Sequence, residues 1–358
     1  MTLQELGYDE HFSNLFTTND FAAFQPARVI AEHKERYVVR AAAGEYSGEI
    51  TGTLRFSARG REDFPAVGDW VAVSISDPEL AVIHAVLPRH SVIRRQAVGK
   101  HAEIQVIAAN IDVAFLVQAA DRDFNINRLE RYLTICYASN VRPIILLTKI
   151  DLIDAADLSV ILERVRSRID DVPVLAISSE TEEGYSELRA CIAVGKTHCL
   201  LGSSGVGKST LLNHLSGKTL MRTDAISDST SKGRHVTTHR ELVVLDGGGI
   251  LIDNPGMREV GIADAGEGLE RTFDRISELS RECRFPDCTH TSEIGCRVLA
   301  ALDSGELDNG TYENFMKMER ERAHFESTVA ERRRNEKIFG KVLKDYKKLM
   351  KKHPGSKF

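Results

Sequence analysis

Nine consecutive residues, Gly202, Ser203, Ser204, Gly205, Val206, Gly207, Lys208, Ser209 and Thr210, carry the spacing Gly-x4-Gly-Lys-[Ser/Thr]. Glycines at these positions let the backbone turn tightly enough for successive N–H groups to converge on phosphate oxygens. A lysine there reaches the β- and γ-phosphates, and the hydroxyl of Ser209 is placed to hold magnesium. The apolar run 198–201 precedes the loop and a helical pattern, 208–216, follows it, so the phosphates would sit at a helix N-terminus. About forty residues on, the apolar run 250–252 ends in Asp253-Asn254-Pro255-Gly256. Asp253 can hold magnesium through water, and the Gly256 N–H can meet a γ-phosphate.

A guanine site needs a carboxylate that accepts from both the ring N1–H and the 2-amino group. Thr148, Lys149, Ile150 and Asp151 follow an apolar run at 143–147 and resemble the Asn-Lys-x-Asp element of GTPases, with threonine in place of asparagine. Asp151 would read the base and the Lys149 stem would pack over it. Ser178 and Ser179, at the end of the next apolar run, resemble the serine-containing loop that touches the guanine carbonyl. Together these elements favour guanine over adenine. The alternative is a P-loop ATPase in which 149–151 is a solvated turn. The base-side elements precede the phosphate loop, whereas ordinary GTPases have the reverse order, so the sheet must be circularly permuted.

Cys283, Cys288, His290 and Cys296 lie within fourteen residues in the pattern Cys-x4-Cys-x-His-x5-Cys. Three thiolates and an imidazole suit one tetrahedral structural zinc, with no position left for a catalytic water. Cys136, Cys191 and Cys199 stand among apolar neighbours and read as small buried residues.

These groups must be positioned by a chain of 358 residues with net charge −5 and 42% hydrophobic residues, the composition of an ordinary globular protein. No apolar run approaches the length needed to span a bilayer. The first residues, with Glu5, Asp9 and Glu10, lack the order of a signal peptide. A cytoplasmic protein without a membrane anchor is therefore expected. Residues 1–24 read as a helical extension with an apolar face. Five strand-like runs at 27–31, 37–41, 49–56, 69–74 and 80–87 predict a small closed β-barrel within 25–96, of the OB type or, nearly as well, SH3-like. A polar link at 88–105 carries Arg89, His90, Arg94, Arg95, Lys100 and His101. Strands alternating with helices across 101–264 predict a helix-covered, mostly parallel sheet. Residues 265–358 read as helical around the cysteines. They end in a tail, 331–358, with eleven Lys/Arg against three Asp/Glu. The fold class is thus multidomain α/β: OB-like barrel, permuted P-loop GTPase, helical zinc-binding domain.

This combination resembles the RsgA (YjeQ) family of bacterial, small-ribosomal-subunit-dependent GTPases over nearly the whole chain. The residues that carry the resemblance are Gly68-Asp69-Trp70-Val71, 148–151, 202–210, 253–256 and the four zinc ligands. It implies a monomer that binds the small subunit and its rRNA late in assembly, hydrolyses GTP to GDP when stimulated by it, and departs. The segment Gly233-Arg234-His235-Val236-Thr237-Thr238 resembles the family's switch loop, with Val236 in place of a threonine. On that resemblance Thr237 is the magnesium and γ-phosphate ligand, with Thr238 as the alternative. Met257 occupies the position of the usual water-orienting glutamine, and His235 is the substitute. An apolar residue there predicts slow intrinsic hydrolysis. The barrel, the link and the tail are candidate contacts to RNA phosphates, and Trp70 reads as core. The second reading is an RNA-binding assembly module for which GTP is a structural ligand with incidental turnover.

Overall fold

A computed structural model describes residues 1–19, 21–33, 36–96, 104–121, 123–217, 240–253, 265–326 and 334. Five strands, β1 (Gln25–His33), β2 (Arg36–Ala41), β3 (Gly44–Ile50), β4 (Trp70–Ile75) and β5 (Leu80–Val86), form a closed barrel in the order β1-β2-β3-β5-β4, with β4 returning to β1. β3 and β5 run parallel and the other pairs are antiparallel. This closed five-stranded order is OB-like, which decides between the two barrels the sequence allowed. Inward residues Val29, Val39, Val71, Val73 and Ile83 are fully buried.

One expected strand is shorter and shifted. β3 ends at Ile50, and 52–57 form a helix, α2 (Gly52–Ser57), because the Thr51 hydroxyl caps it by accepting from Leu54 N. The start of β3, with Gly44, Glu45, Ser47 and Gly48, is too polar to announce a strand.

The N-terminal segment is not a loose extension. α1 (Glu10–Thr18) is capped by Asp9, and Leu6 and Phe12 pack with Trp70 and Leu87. Trp70 is core, as its sequence context implied.

The link also carries structure. β6 (Val92–Gln96) pairs antiparallel with β7 (Ile104–Ala109). Arg89 is spoken for: its guanidinium holds both oxygens of buried Asp69 at 2.8 and 2.7 Å and reaches the carbonyls of Glu62 and Phe64. Arg94 pairs with Glu62 at 2.7 Å. Arg89 is therefore a structural clamp rather than an RNA contact. Residues 97–103 lie outside the described residues.

The second half is built on β8 (Val113–Ala119), β9 (Arg142–Thr148), β10 (Val174–Ala176), β11 (Thr197–Leu201), β12 (Arg240–Val244) and β13 (Ile250–Asp253). They lie in the order β10-β9-β8-β11-β13-β12, parallel except for β12. Helices α3 (Ile126–Ala138), α4 (Ala155–Arg166), α5 (Tyr185–Ala190) and α6 (Lys208–Ser216) complete the α/β layers. Buried side chains fill both faces of β8, with Leu116 on one and Phe115 and Val117 on the other, as expected of a strand covered on both sides.

β12 does not leave an open edge. It pairs with β1 (Ala31 opposite Glu241, Glu32 opposite Arg240), so barrel and α/β sheet are continuous over eleven strands. Arg28 pins the junction. Its buried guanidinium donates to the carbonyls of Leu6, Gly68 and Asn110 and to Thr197 Oγ1. Burial pushes its pKa down to about 10, so it stays charged at neutral pH.

Helices α7 (Gly266–Thr272), α8 (Asp274–Ser280), α9 (Arg297–Asp303) and α10 (Asn309–Glu326) share a core of Leu269, Phe273, Ile276, Val298 and Met318. They dock on α3. A Cβ at Gly268 would stand 2.3 Å from Thr134 O, so only glycine admits this approach. Thr134 bonds Thr272 at 2.9 Å, Arg131 pairs with Glu321, and buried Glu130 takes Arg168 and Asn314. Apart from Arg334, the tail 331–358 lies outside the described residues. No described helix is long and apolar enough to cross a membrane.

Candidate nucleotide and metal sites

The loop 202–207 joins β11 to α6 at the carboxyl edge of the parallel strands. Each glycine has its own reason. A Cβ at Gly202 would meet Val117 O at 2.3 Å, so the loop presses on β8. Gly205 and Gly207 have φ of +84° and +94°. A Cβ at Gly205 would meet nothing within 4 Å, so this part of the loop is open to a ligand. Positive φ at these two positions gives the loop the form of a nest, with α6 starting at Lys208. Lys208 arches back, its ammonium donating to Gly202 O at 2.8 Å and Ser203 O at 2.5 Å.

The base-side residues lie beside this loop although they are far from it in sequence. Thr148, at the end of β9 and 3% exposed, donates its hydroxyl to Val206 O at 2.7 Å. That bond ties 148–151 to the phosphate loop, and it places threonine where a tying side chain is needed. Lys149 turns the chain with φ +60°, and its ammonium lies 3.7 Å from Asp121. Ile150 is buried and Asp151 is exposed. The Asp151 carboxylate accepts from Ser178 Oγ at 2.6 Å, and Ser178 Oγ accepts in turn from the N–H groups of Glu180 and Thr181. Ser178 is fully buried, with its hydroxyl engaged by Asp151. Ser179 shares a hydrogen bond of 2.8 Å with Tyr185 Oη.

Three neighbours carried no sequence signal. Arg128, in the first turn of α3, donates to Ser203 Oγ and Asp123, both at 3.1 Å. Asp121 pairs with Lys149, and Tyr185 holds Ser179. Only the Asn125 cap of α3 marked this region in sequence. Ser204, Ser209 and Thr210 occupy the loop and first turn as expected, and Asp253 ends β13, beside β11. His235, Thr237 and Gly256 lie outside the described residues.

The four residues expected to ligate zinc converge. Their ligand atoms all lie within 4.8 Å of one another. Cys283 Sγ is 3.9 Å from Cys296 Sγ, and His290 Nδ1 is 3.4 Å from Cys296 Sγ and 3.7 Å from Cys283 Sγ. A tetrahedron with Zn–S near 2.3 Å has edges of about 3.8 Å, so the donor set fits zinc. The N–H groups of Arg297 and Leu299 point at Cys283 Sγ and Cys296 Sγ, the outer contacts a thiolate site needs. Tyr312 Oη donates to His290 O at 2.7 Å and ties the ligand loop to α10.

Base-side loops that precede the phosphate loop in sequence yet bond to it in space, on a mostly parallel sheet, define a circularly permuted P-loop GTPase. A family model described as RsgA GTPase matches residues 86–263. The Small ribosomal subunit biogenesis GTPase RsgA of Opitutus terrae is 43% identical over 355 residues, covering 95% of this chain and 96% of its own. The Small ribosomal subunit biogenesis GTPase RsgA 2 of Lactiplantibacillus plantarum is 42% identical, covering 87% of this chain and 88% of its own. The crystal structure of YjeQ from Thermotoga maritima superposes with a TM-score of 0.61 at 26% identity, over 82% of this chain and 96% of that one. YloQ, described as a circularly permuted GTPase, shares the fold with a TM-score of 0.60. The chain belongs to the RsgA family of GTPases.

Proposed function

We propose that the chain binds the small ribosomal subunit during its biogenesis, hydrolyses GTP there, and leaves in the GDP state, working as a monomer in the cytoplasm. The observation that carries the nucleotide assignment is the Thr148–Val206 hydrogen bond, which fixes the base-side loop on the phosphate loop. With Ser178 holding one oxygen, the Asp151 carboxylate accepts from guanine N1–H and the 2-amino group, and the Lys149 stem covers the base. Backbone N–H groups of 203–208 hold the α- and β-phosphates, while Lys208 leaves the Gly202 and Ser203 carbonyls for the β- and γ-phosphates. Ser209 and Thr237 would hold magnesium, which would supply positive charge to the phosphates when bound. Asp253 would support that ion, and the Gly256 N–H would meet the γ-phosphate. His235 orients the attacking water, a task Met257 cannot perform, so turnover is slow until the subunit orders the switch loop. The zinc held by Cys283, Cys288, His290 and Cys296 is structural. Because α7 packs on α3, and the chain leads from β13 into α7, loss of the γ-phosphate shifts the zinc-bearing helices.

The test compares departure from purified small subunits with GTP and with a non-hydrolysable analogue. The chain should leave with GTP and stay with the analogue, and Lys208→Ala should stay with either. Equal departure in all cases would support the second reading, in which GTP is a structural ligand.

A further inference from the structure

His290 is the one nitrogen donor of the Cys/His cluster, and its backbone takes an uncommon form. Its φ is +59°, in the left-handed region that residues other than glycine seldom enter. Such a backbone persists only where its surroundings hold it. Tyr312 on α10 holds the His290 carbonyl. The rest of the hold comes from Glu293, whose carboxylate brackets the histidine. One oxygen accepts from the Thr289 N–H at 2.8 Å and from the Thr289 hydroxyl. The other accepts from the N–H groups of Thr291 and Ser292, both at 3.0 Å. The residue before His290 and the two after it thus close on one side chain. The backbone of Glu293 reaches a second member of the cluster, its carbonyl accepting from the Cys296 N–H at 3.2 Å.

We propose that Glu293 is a positioning residue of the zinc site, presenting the His290 ring to the ion by gathering the backbone on either side of it. Its carboxylate is engaged with the loop, so it acts through His290. The inference rests on the reading of the cluster as a zinc site and names what holds the nitrogen ligand in place. The geometry asks for a carboxylate. Three N–H groups and a hydroxyl are shared between two acceptor oxygens, and an amide in that place would turn its own donors toward N–H groups. A loop already in this shape has less conformational freedom to lose when the ion binds.

The test titrates the zinc-loaded full chain with a competing chelator and reads the zinc released. Glu293→Gln should weaken zinc affinity about 10- to 100-fold, the range for loss of an outer contact that orients a ligand. His290→Ala supplies the reference. In that background Glu293→Gln should change zinc affinity less than about twofold, because the ring it positions is gone. An acid that merely stabilised the loop would lower affinity by the same factor in both backgrounds. GTP affinity should stay at the wild-type value in every variant, which separates a displaced ligand from a misfolded chain. Wild-type zinc affinity in Glu293→Gln would overturn the proposal, and so would an equal loss in both backgrounds. A wild-type chain that retains no zinc in the same titration would instead remove the zinc reading, and the proposal with it.

Discussion

Thr148→Val removes one hydroxyl from a site that is 3% exposed and keeps the branched shape, so no cavity is made. What is lost is the donor to Val206 O at 2.7 Å. The second contact, to Gln118 O at 3.4 Å, is too long to contribute much. Val206 is itself 1% exposed, so its carbonyl is left poorly solvated. An unmet buried acceptor costs about 1–3 kcal/mol, partly offset by the added methyl, leaving about 1–2 kcal/mol. Because the bond holds two nucleotide-binding loops together, that cost should appear as GDP and GTP affinity reduced about 5- to 30-fold. Thr148→Ser keeps the donor and should lose less than about threefold. Equilibrium titration with a fluorescent guanine nucleotide reads both variants. Valine and serine variants that bind equally well would refute the idea that this hydroxyl organises the site.

Asp151→Asn should lower GTP affinity about 100-fold and shift preference toward xanthosine triphosphate, since the amide matches the xanthine edge; unchanged GTP affinity in nucleotide competition would remove the base assignment. Cys288→Ser should reduce bound zinc from about one per chain, by elemental analysis, and expose the amides of 265–326 to hydrogen exchange, with GTP affinity kept within a few-fold. A chain with full zinc and unchanged protection would contradict the site. Burial lowers the His90 pKa, helped by His11 and Arg28 and opposed by Asp112. The unfolded chain then binds more protons than the folded one as pH falls below about 6.5, so stability is lost as pH drops through that value. His90→Phe, which keeps the ring beside Phe12, should reduce the difference in melting temperature between about pH 7.5 and 5.5; an unchanged difference would mean that another group sets it.

The phosphate loop, the convergence of three cysteines and a histidine, and the permuted order were legible in sequence because each depends on residue types at fixed spacing. Gly202, Gly205 and Gly207 are needed for backbone reasons that any sequence with this fold must satisfy. The strands of the α/β sheet were legible because burial on both faces leaves continuous apolar runs. The hydrogen-bond partner of Ser178 was not. It is Asp151, 27 positions earlier in the chain, and the same local sequence serves a hydroxyl that bonds a carboxylate or one that touches a ligand. Arg89 misled for a related reason. Its neighbours in sequence are basic, yet its partner Asp69 comes from the barrel. The start of α2 was hidden because Thr51 caps a helix only if β3 ends before it, which the pairing with β5 decides. Junction residues such as Arg28, whose four partners are scattered from Leu6 to Thr197, leave no local pattern at all.

The most direct test is the rate of GTP hydrolysis measured alone, with purified small ribosomal subunits, and with large subunits. A nucleotide site completed only when the subunit orders the switch loop predicts slow turnover alone, strong stimulation by small subunits, and none by large ones. His235→Ala should abolish the stimulation while GTP binding persists. Turnover that is unchanged by small subunits would contradict the central claim.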